Sequence, residues 1–214
     1  MVNILIFLGI ALGAYVIGGL NGAIITTRLV YKDDIRNHGS GNAGLTNFFR
    51  TYGSRAMFLM ILIDVLKTAT PVILGGMFFE SAFTFGTIAE RTILGQTYGG
   101  LFAMLGHAYP CMYKFKGGKA VLSGATVALF LDIRLFAVLI GVFLCAVLLT
   151  RYVSLGSVLA GITFPIGFFA FDLGLWPSIL AICGGLFIVF RHHGNLSRLF
   201  KGEERKLSFG KQKG

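Results

Sequence analysis

Residues 118–150 read GKAVLSGATVALFLDIRLFAVLIGVFLCAVLLT, an apolar tract interrupted by charge only at Asp132-Ile133-Arg134 beyond its opening lysine. If the tract is one helix, the chain has six hydrophobic segments; if it divides at Asp132, it has seven. The other candidates lie near residues 3–25, 56–79, 93–113, 155–171 and 174–190, each close to the roughly 20 residues that a membrane crossing needs. The halves 118–131 and 135–150 are short for spans. Charge decides between the two counts, because short cytoplasmic loops collect Lys and Arg. With seven spans and the N-terminus outside, the inner segments receive Arg28, Lys32, Arg36, Arg50, Arg55, Lys114, Lys116, Lys119, Arg151, Arg191, Arg198, Lys201, Arg205, Lys206, Lys211 and Lys213. The outer loops keep only Arg91 and Arg134, with Glu80, Glu90, Asp132 and Asp172. Six spans would put Lys114–Lys119 and Arg151 on opposite faces. The expectation is an all-α integral membrane protein of seven transmembrane helices, N-terminus outside and C-terminus cytoplasmic.

Composition agrees with that class. Of 214 residues, 55% are hydrophobic and 13% charged, more apolar content than one water-soluble core requires. No polar stretch is long enough for a separate soluble domain, so residues 1–214 read as a single membrane-embedded domain. MVNILIFLGI lacks the basic start of a secretory leader and reads as a retained first span. The net charge of +10 gathers on one membrane face, where it suits anionic lipid or a phosphorylated substrate. Nucleic acid is a poor fit, because the basic loops lack interleaved aromatics. Cys111, Cys145 and Cys183 are isolated, so neither a metal nor a redox pair is implied. Gly18-Gly19, Gly75-Gly76 and Gly184-Gly185 read as close helix-packing positions.

Four polar clusters fall on the cytoplasmic side of this topology, three of them at helix N-termini, where free N–H groups and the positive dipole end attract phosphate. The first, GSGNAGLTNFFR at 39–50, offers Ser40, Gly41, Asn42, Thr46, Asn47 and Arg50; a capped turn would need only one or two such groups. The second, KFKGGKA at 114–120, places Gly117 and Gly118 before Lys119, as though backbone N–H groups approached an anion with the lysine aimed at it. It is no Walker loop, since Tyr113 replaces the first glycine and Ala120 the Ser or Thr that holds magnesium. The third, RYVSLGS at 151–157, sets Ser154 and Ser157 at a helix start, as cap or phosphate contact. The fourth, RHHGN at 191–195, puts His192 and Asn195 on one face if the helix continues, with His193 facing solvent. Asp64 and Lys67 lie one turn apart within a span and read as an intrahelical ion pair. The inner face has few carboxylates, so a two-metal phosphotransferase is hard to build there.

Together the four clusters resemble the bacterial acyl-phosphate-dependent glycerol-3-phosphate acyltransferases, the PlsY family, through SGN-x-G-x-TN with its arginine, GGK, a serine-bearing loop and H-x-x-N followed by a basic tail ending near Gly-x-Glu. The order holds over residues 3 to about 206. The resemblance implies a multi-pass enzyme of the bacterial inner membrane, working on the cytoplasmic side. It would move an acyl group from acyl phosphate to the 1-hydroxyl of glycerol 3-phosphate and give lysophosphatidic acid and phosphate. No cofactor, metal or obligate protein partner is implied. It carries phosphate contacts onto Ser40, Asn42 and Thr46, and glycerol-phosphate contacts onto Arg50, Lys119, Ser154, His192 and Asn195, with Ser40, Lys119, His192 and Asn195 as the catalytic set. The sequence departs from the pattern at Leu45, Ala120, Ser123 and Gly194; the last replaces a frequent glutamate. The general base stays open between His192 and a substrate phosphate oxygen. The alternative of another class is a small organic-phosphate transporter, which would need polar groups through the bilayer and at both ends.

Overall fold

The computed structural model describes residues 2–207, so Lys211 and Lys213 lie outside the described residues. Among the described residues ten α-helices follow in order: α1 Val2–Gly18, α2 Gly22–Thr26, α3 Leu45–Tyr52, α4 Met57–Ala82, α5 Ile88–Ala108, α6 Val121–Leu131, α7 Ile133–Thr150, α8 Val153–Ala170, α9 Leu175–Arg191 and α10 His193–Phe200. No strand occurs among the described residues.

The tract at 118–150 divides where its charges stand. Asp132 takes extended backbone, φ −155° and ψ 120°, and caps α7 by accepting from the Arg134 N–H. Its carboxylate also pairs with the Arg134 guanidinium at 2.6 Å. A single long helix is therefore excluded. The first half stays short: the 11 residues of α6 rise only about 16 Å.

Among the described residues, four helical stretches are long and apolar enough to cross a membrane: Ile4–Tyr31, which takes in α1 and α2, Met57–Ala82, Ile133–Thr150 and Val153–Ala170. Leu175–Arg191 and His193–Phe200, bent by 54° at their junction, make a fifth if taken together. Their outward side chains are bare, Leu148 at 73% and Leu149 at 85% exposure, an apolar surface suited to lipid rather than water. Inside, Val72, Met104, Val127, Leu135, Phe164, Phe168 and Ile188 form one core, and Ile24, Ile35, Phe48 and Met60 a second beneath α3. Glycine lets backbones meet within the bundle: a Cβ at Gly75 would strike the Gly95 carbonyl, and one at Gly185 the Gly161 carbonyl.

Helix ends sort into two sets. Arg36 reaches the Tyr113 carbonyl, and the Leu207 N–H bonds to the Arg151 carbonyl, bringing the segments before α3, before α6, after α7 and after α10 together. Arg134 lies over the Phe171 ring, so the α6–α7 and α8–α9 turns share another end. Lys and Arg crowd the first end.

Candidate functional site

All four polar clusters meet at that first end, around a cavity of about 1420 Å³. Ser40, Asn42, Thr46, Arg50, Lys119, Ser154, His192 and Asn195 line its polar part, whereas Val121, Ala125, Leu139, Phe143, Phe164 and Ile188 give it apolar walls between α6, α7, α8 and α9.

The 39–44 loop is shaped by two residues in left-handed backbone, Gly39 at φ +57° and Gly41 at φ +68°, where a Cβ would be strained. Asn47 ties the loop down. Its Nδ2 donates to the His38 carbonyl at 3.0 Å, the Asn42 carbonyl at 3.1 Å and, more weakly, the Ile35 carbonyl at 3.4 Å, while its Oδ1 accepts from the Ser40 N–H at 3.1 Å. Asn47 lines the cavity, but its polar atoms are occupied within the protein and it acts as a brace of the loop. Gly44 caps α3 without a side chain, so the first N–H groups of this helix open beside Ser40, Asn42 and Thr46.

The second cluster needs a larger correction. The Gly117 N–H donates to the Ala108 carbonyl and the Gly118 N–H to the His107 carbonyl, completing the end of α5, so neither is open to an anion. Gly118 does not line the cavity; a Cβ there would strike the His107 ring. These glycines seat the loop, and Lys119 is left as the phosphate group of the cluster. Ala120, at φ +61°, holds left-handed backbone, a conformation that strains a residue with a Cβ.

Lys119 donates to Asn195 Oδ1, and Asn195 Nδ2 donates to Glu204 at 2.7 Å. Arg198 Nε donates to the same carboxylate at 2.8 Å. Burial lowers the Lys119 ammonium to about 8, Glu204 opposing the shift and Arg198, Arg191 and Arg50 adding to it. Burial alone would raise the Glu204 carboxyl, but hydrogen bonds from Asn195 and Arg198 hold it below its ordinary value. The carboxylate that meets Asn195 is Glu204, the glutamate that closes the tail's Gly-x-Glu. The tail crosses the cavity rim, its Arg205 carbonyl accepting from Arg50 at 2.9 Å.

Ser154 is not the cap of α8, which has no side-chain cap. Its hydroxyl is buried with no hydrogen-bond partner among the described residues. Such an orphan awaits an acceptor. Ser157 instead donates to the Val153 carbonyl. His192 does not continue α9: the chain bends there, yet His192 and Asn195 both reach the cavity. His192 Nδ1–H donates to the Ile188 carbonyl at 2.8 Å, which leaves Nε2 as an acceptor. Burial, with Lys119 and Arg191 nearby, lowers its imidazolium to about 4, so the ring is neutral at pH 7. His193 is exposed, as expected.

Asp64 and Lys67 pair at 2.7 Å, and Lys67 also reaches His107 Nδ1 at 2.8 Å. His107, Arg191, Arg198 and Glu204 were not singled out as site residues, although Arg191 opens the fourth cluster and Glu204 closes the tail's Gly-x-Glu. His107 is a lone histidine in a membrane-length helix, and only folding brings the tail carboxylate to Asn195.

Comparison with known proteins gives the family and the fold. The family model for glycerol-3-phosphate acyltransferase matches residues 8–202. A glycerol-3-phosphate acyltransferase of Finegoldia magna is 39% identical over 204 residues, covering 95% of this chain and 96% of that one. One from Bacillus subtilis is 36% identical over 201 residues, covering 92% and 95%. The crystal structure of PlsY (YgiH), an integral membrane glycerol 3-phosphate acyltransferase, in its glycerol 3-phosphate form superposes with a TM-score of 0.82 at 31% identity, covering 94% of this chain and 96% of that one. Its lysophosphatidic acid form gives 0.81 at 29% identity, covering 94% and 95%.

Proposed function

Because the chain belongs to the glycerol-3-phosphate acyltransferase family, we propose that this cavity acylates the 1-hydroxyl of glycerol 3-phosphate, with acyl phosphate as donor and lysophosphatidic acid and phosphate as products. One observation carries the reading: a cationic rim and an apolar-walled interior belong to one cavity, which suits two phosphates at the mouth and an acyl chain inside.

In this reading the open N-terminus of α3, with Ser40, Asn42 and Thr46, takes the acyl-phosphate head. Arg50, Lys119, Ser154 and Asn195 take the phosphate of glycerol 3-phosphate. The hydroxyl oxygen attacks the acyl carbon, the bond from that carbon to the phosphate oxygen breaks, and phosphate leaves. No acyl-enzyme is needed, because acyl phosphate is a mixed anhydride with a good leaving group, and positioning with fixed donors supplies much of the rate. His192 Nε2 holds the attacking hydroxyl. An imidazole with its pKa near 4 is a poor base, so the proton passes to an oxygen of the departing phosphate.

We also assign seven membrane passes, α1 and α4 to α9, with the N-terminus outside, in the bacterial inner membrane, and with the cavity on the cytoplasmic side. The two sets of helix ends and the gathering of Lys and Arg at the cavity end support this. Donor choice tests the function: purified protein with labelled glycerol 3-phosphate should form lysophosphatidic acid with palmitoyl phosphate and not with palmitoyl thioesters. Turnover with the thioester alone would reject acyl phosphate as donor.

A further inference from the structure

We infer that Asp64, Lys67 and His107 form a buried positioning unit for Lys119, acting through Gly118; this rests on the acyl-transfer reading above. Lys67 Nζ lies 2.7 Å from Asp64 Oδ1 and 2.8 Å from His107 Nδ1, and the three side chains are at most 4% exposed. Charge at this depth is costly unless compensated. With a neutral imidazole the trio carries no net charge. An ammonium has only protons to offer, so Nδ1 accepts from Lys67 and the ring proton sits on Nε2.

An ion pair needing only to hide its own charges accounts for Asp64 and Lys67 but for nothing else here. It does not explain why a histidine from another helix is bound to the pair. Nor does it explain why Asp64 and His107 both line the cavity, with Asp64 Oδ2 buried and unpartnered among the described residues. A positioning role explains the histidine. The His107 carbonyl accepts from the Gly118 N–H at 3.1 Å, and the ring, by its Nε2 edge, fills the space that a side chain on Gly118 would take. Gly118 is thereby fixed from two sides, and Lys119 is the next residue. The base of the unit is itself anchored: the Gly22 N–H donates to Asp64 Oδ1 at 2.9 Å, and Thr68, one turn on, bonds Ser123 of α6 at 3.2 Å.

A double-mutant cycle tests the unit. His107→Asn keeps an acceptor for Lys67 but removes the ring edge against Gly118, and Lys119→Arg retains charge and measurable turnover. In lipid or mild detergent, with palmitoyl phosphate and glycerol 3-phosphate, His107→Asn should lower kcat by about a hundredfold, the scale of an ångström's misplacement. KM for glycerol 3-phosphate should rise as well, because Lys119 also holds the phosphate of that substrate. Combined with Lys119→Arg, it should add little to the loss from Lys119→Arg alone, because both act through one group. The alkaline midpoint of kcat/KM should also shift in His107→Asn, although Glu204, Arg198, Arg191 and Arg50, the charges around Lys119, are all retained. If His107→Asn does not give folded protein, Gly118→Ala strains the same contact from the loop side and serves in the same cycle. Losses that multiply, or a kcat within about twofold of wild type, overturn the inference. Wild-type protein that makes no lysophosphatidic acid overturns the acyl-transfer reading instead, before the cycle begins.

Discussion

Lys119 gives the sharpest test of the cavity's chemistry. Its ammonium is buried beside Asn195, and burial lowers it to about 8, so it titrates within a usable pH range. Only the protonated form attracts phosphate, and kcat/KM follows groups in the free enzyme. From pH 7 to pH 9 the protonated fraction falls from about nine-tenths to about one-tenth, so kcat/KM for glycerol 3-phosphate should fall about tenfold. The substrate contributes little to this limb, because its second ionisation, at about pH 6, lies below it. Lys119→Arg is the control. A guanidinium stays charged to pH 12 and above, so this variant, though slower because its fork does not fit a point-charge site, should show no alkaline limb below about pH 10. The assay is initial-rate formation of lysophosphatidic acid at subsaturating glycerol 3-phosphate from pH 6.5 to 9.5. An alkaline limb of unchanged midpoint in Lys119→Arg would refute the assignment of this titration to Lys119.

Glu204→Gln keeps an acceptor for Asn195 but removes the negative charge that supports the Lys119 ammonium, so the midpoint should move to lower pH; an upward shift would contradict the network. Asn47→Ala leaves four backbone groups without their brace, a loss of about 2–4 kcal/mol at roughly 1 kcal/mol for each bond, to be read from thermal unfolding together with loss of activity. His192→Ala should retain activity within about tenfold of wild type if the phosphate takes the proton, whereas an indispensable base would cost about 10²- to 10⁴-fold. The depressed His192 pKa also predicts a stability effect. Between its unperturbed 6.5 and about 4 the unfolded chain binds the proton more readily, so stability present above pH 6.5 drains away as pH falls toward 4. In His192→Phe this part of the slope in melting temperature should flatten.

The sequence was most legible where charge punctuates apolar runs. Asp132 and Arg134 marked a helix break that their mutual ion pair and the Asp132 cap enforce. The four polar clusters announced a common site because loop residues so close to lipid need a reason to be polar. What stayed hidden depends on partners distant in sequence. Gly117 and Gly118 read as anion-facing amides, yet the end of α5 takes their N–H groups, since four carbonyls at a helix end also need donors. Asn47 looked like its neighbours, and only its burial among carbonyls shows it as a brace. Glu204 lies nine residues beyond Asn195 and is brought back to it by the turn after α10.

Counting both products distinguishes acyl transfer from acyl phosphate to glycerol 3-phosphate in this cavity from transport. Purified wild-type protein would receive palmitoyl phosphate and glycerol 3-phosphate with no metal, nucleotide or thioester. One phosphate released for each lysophosphatidic acid formed, both lost when either substrate is withheld, is the expected result. Neither product, with the protein in liposomes moving glycerol 3-phosphate across the bilayer, would contradict it and leave a transporter.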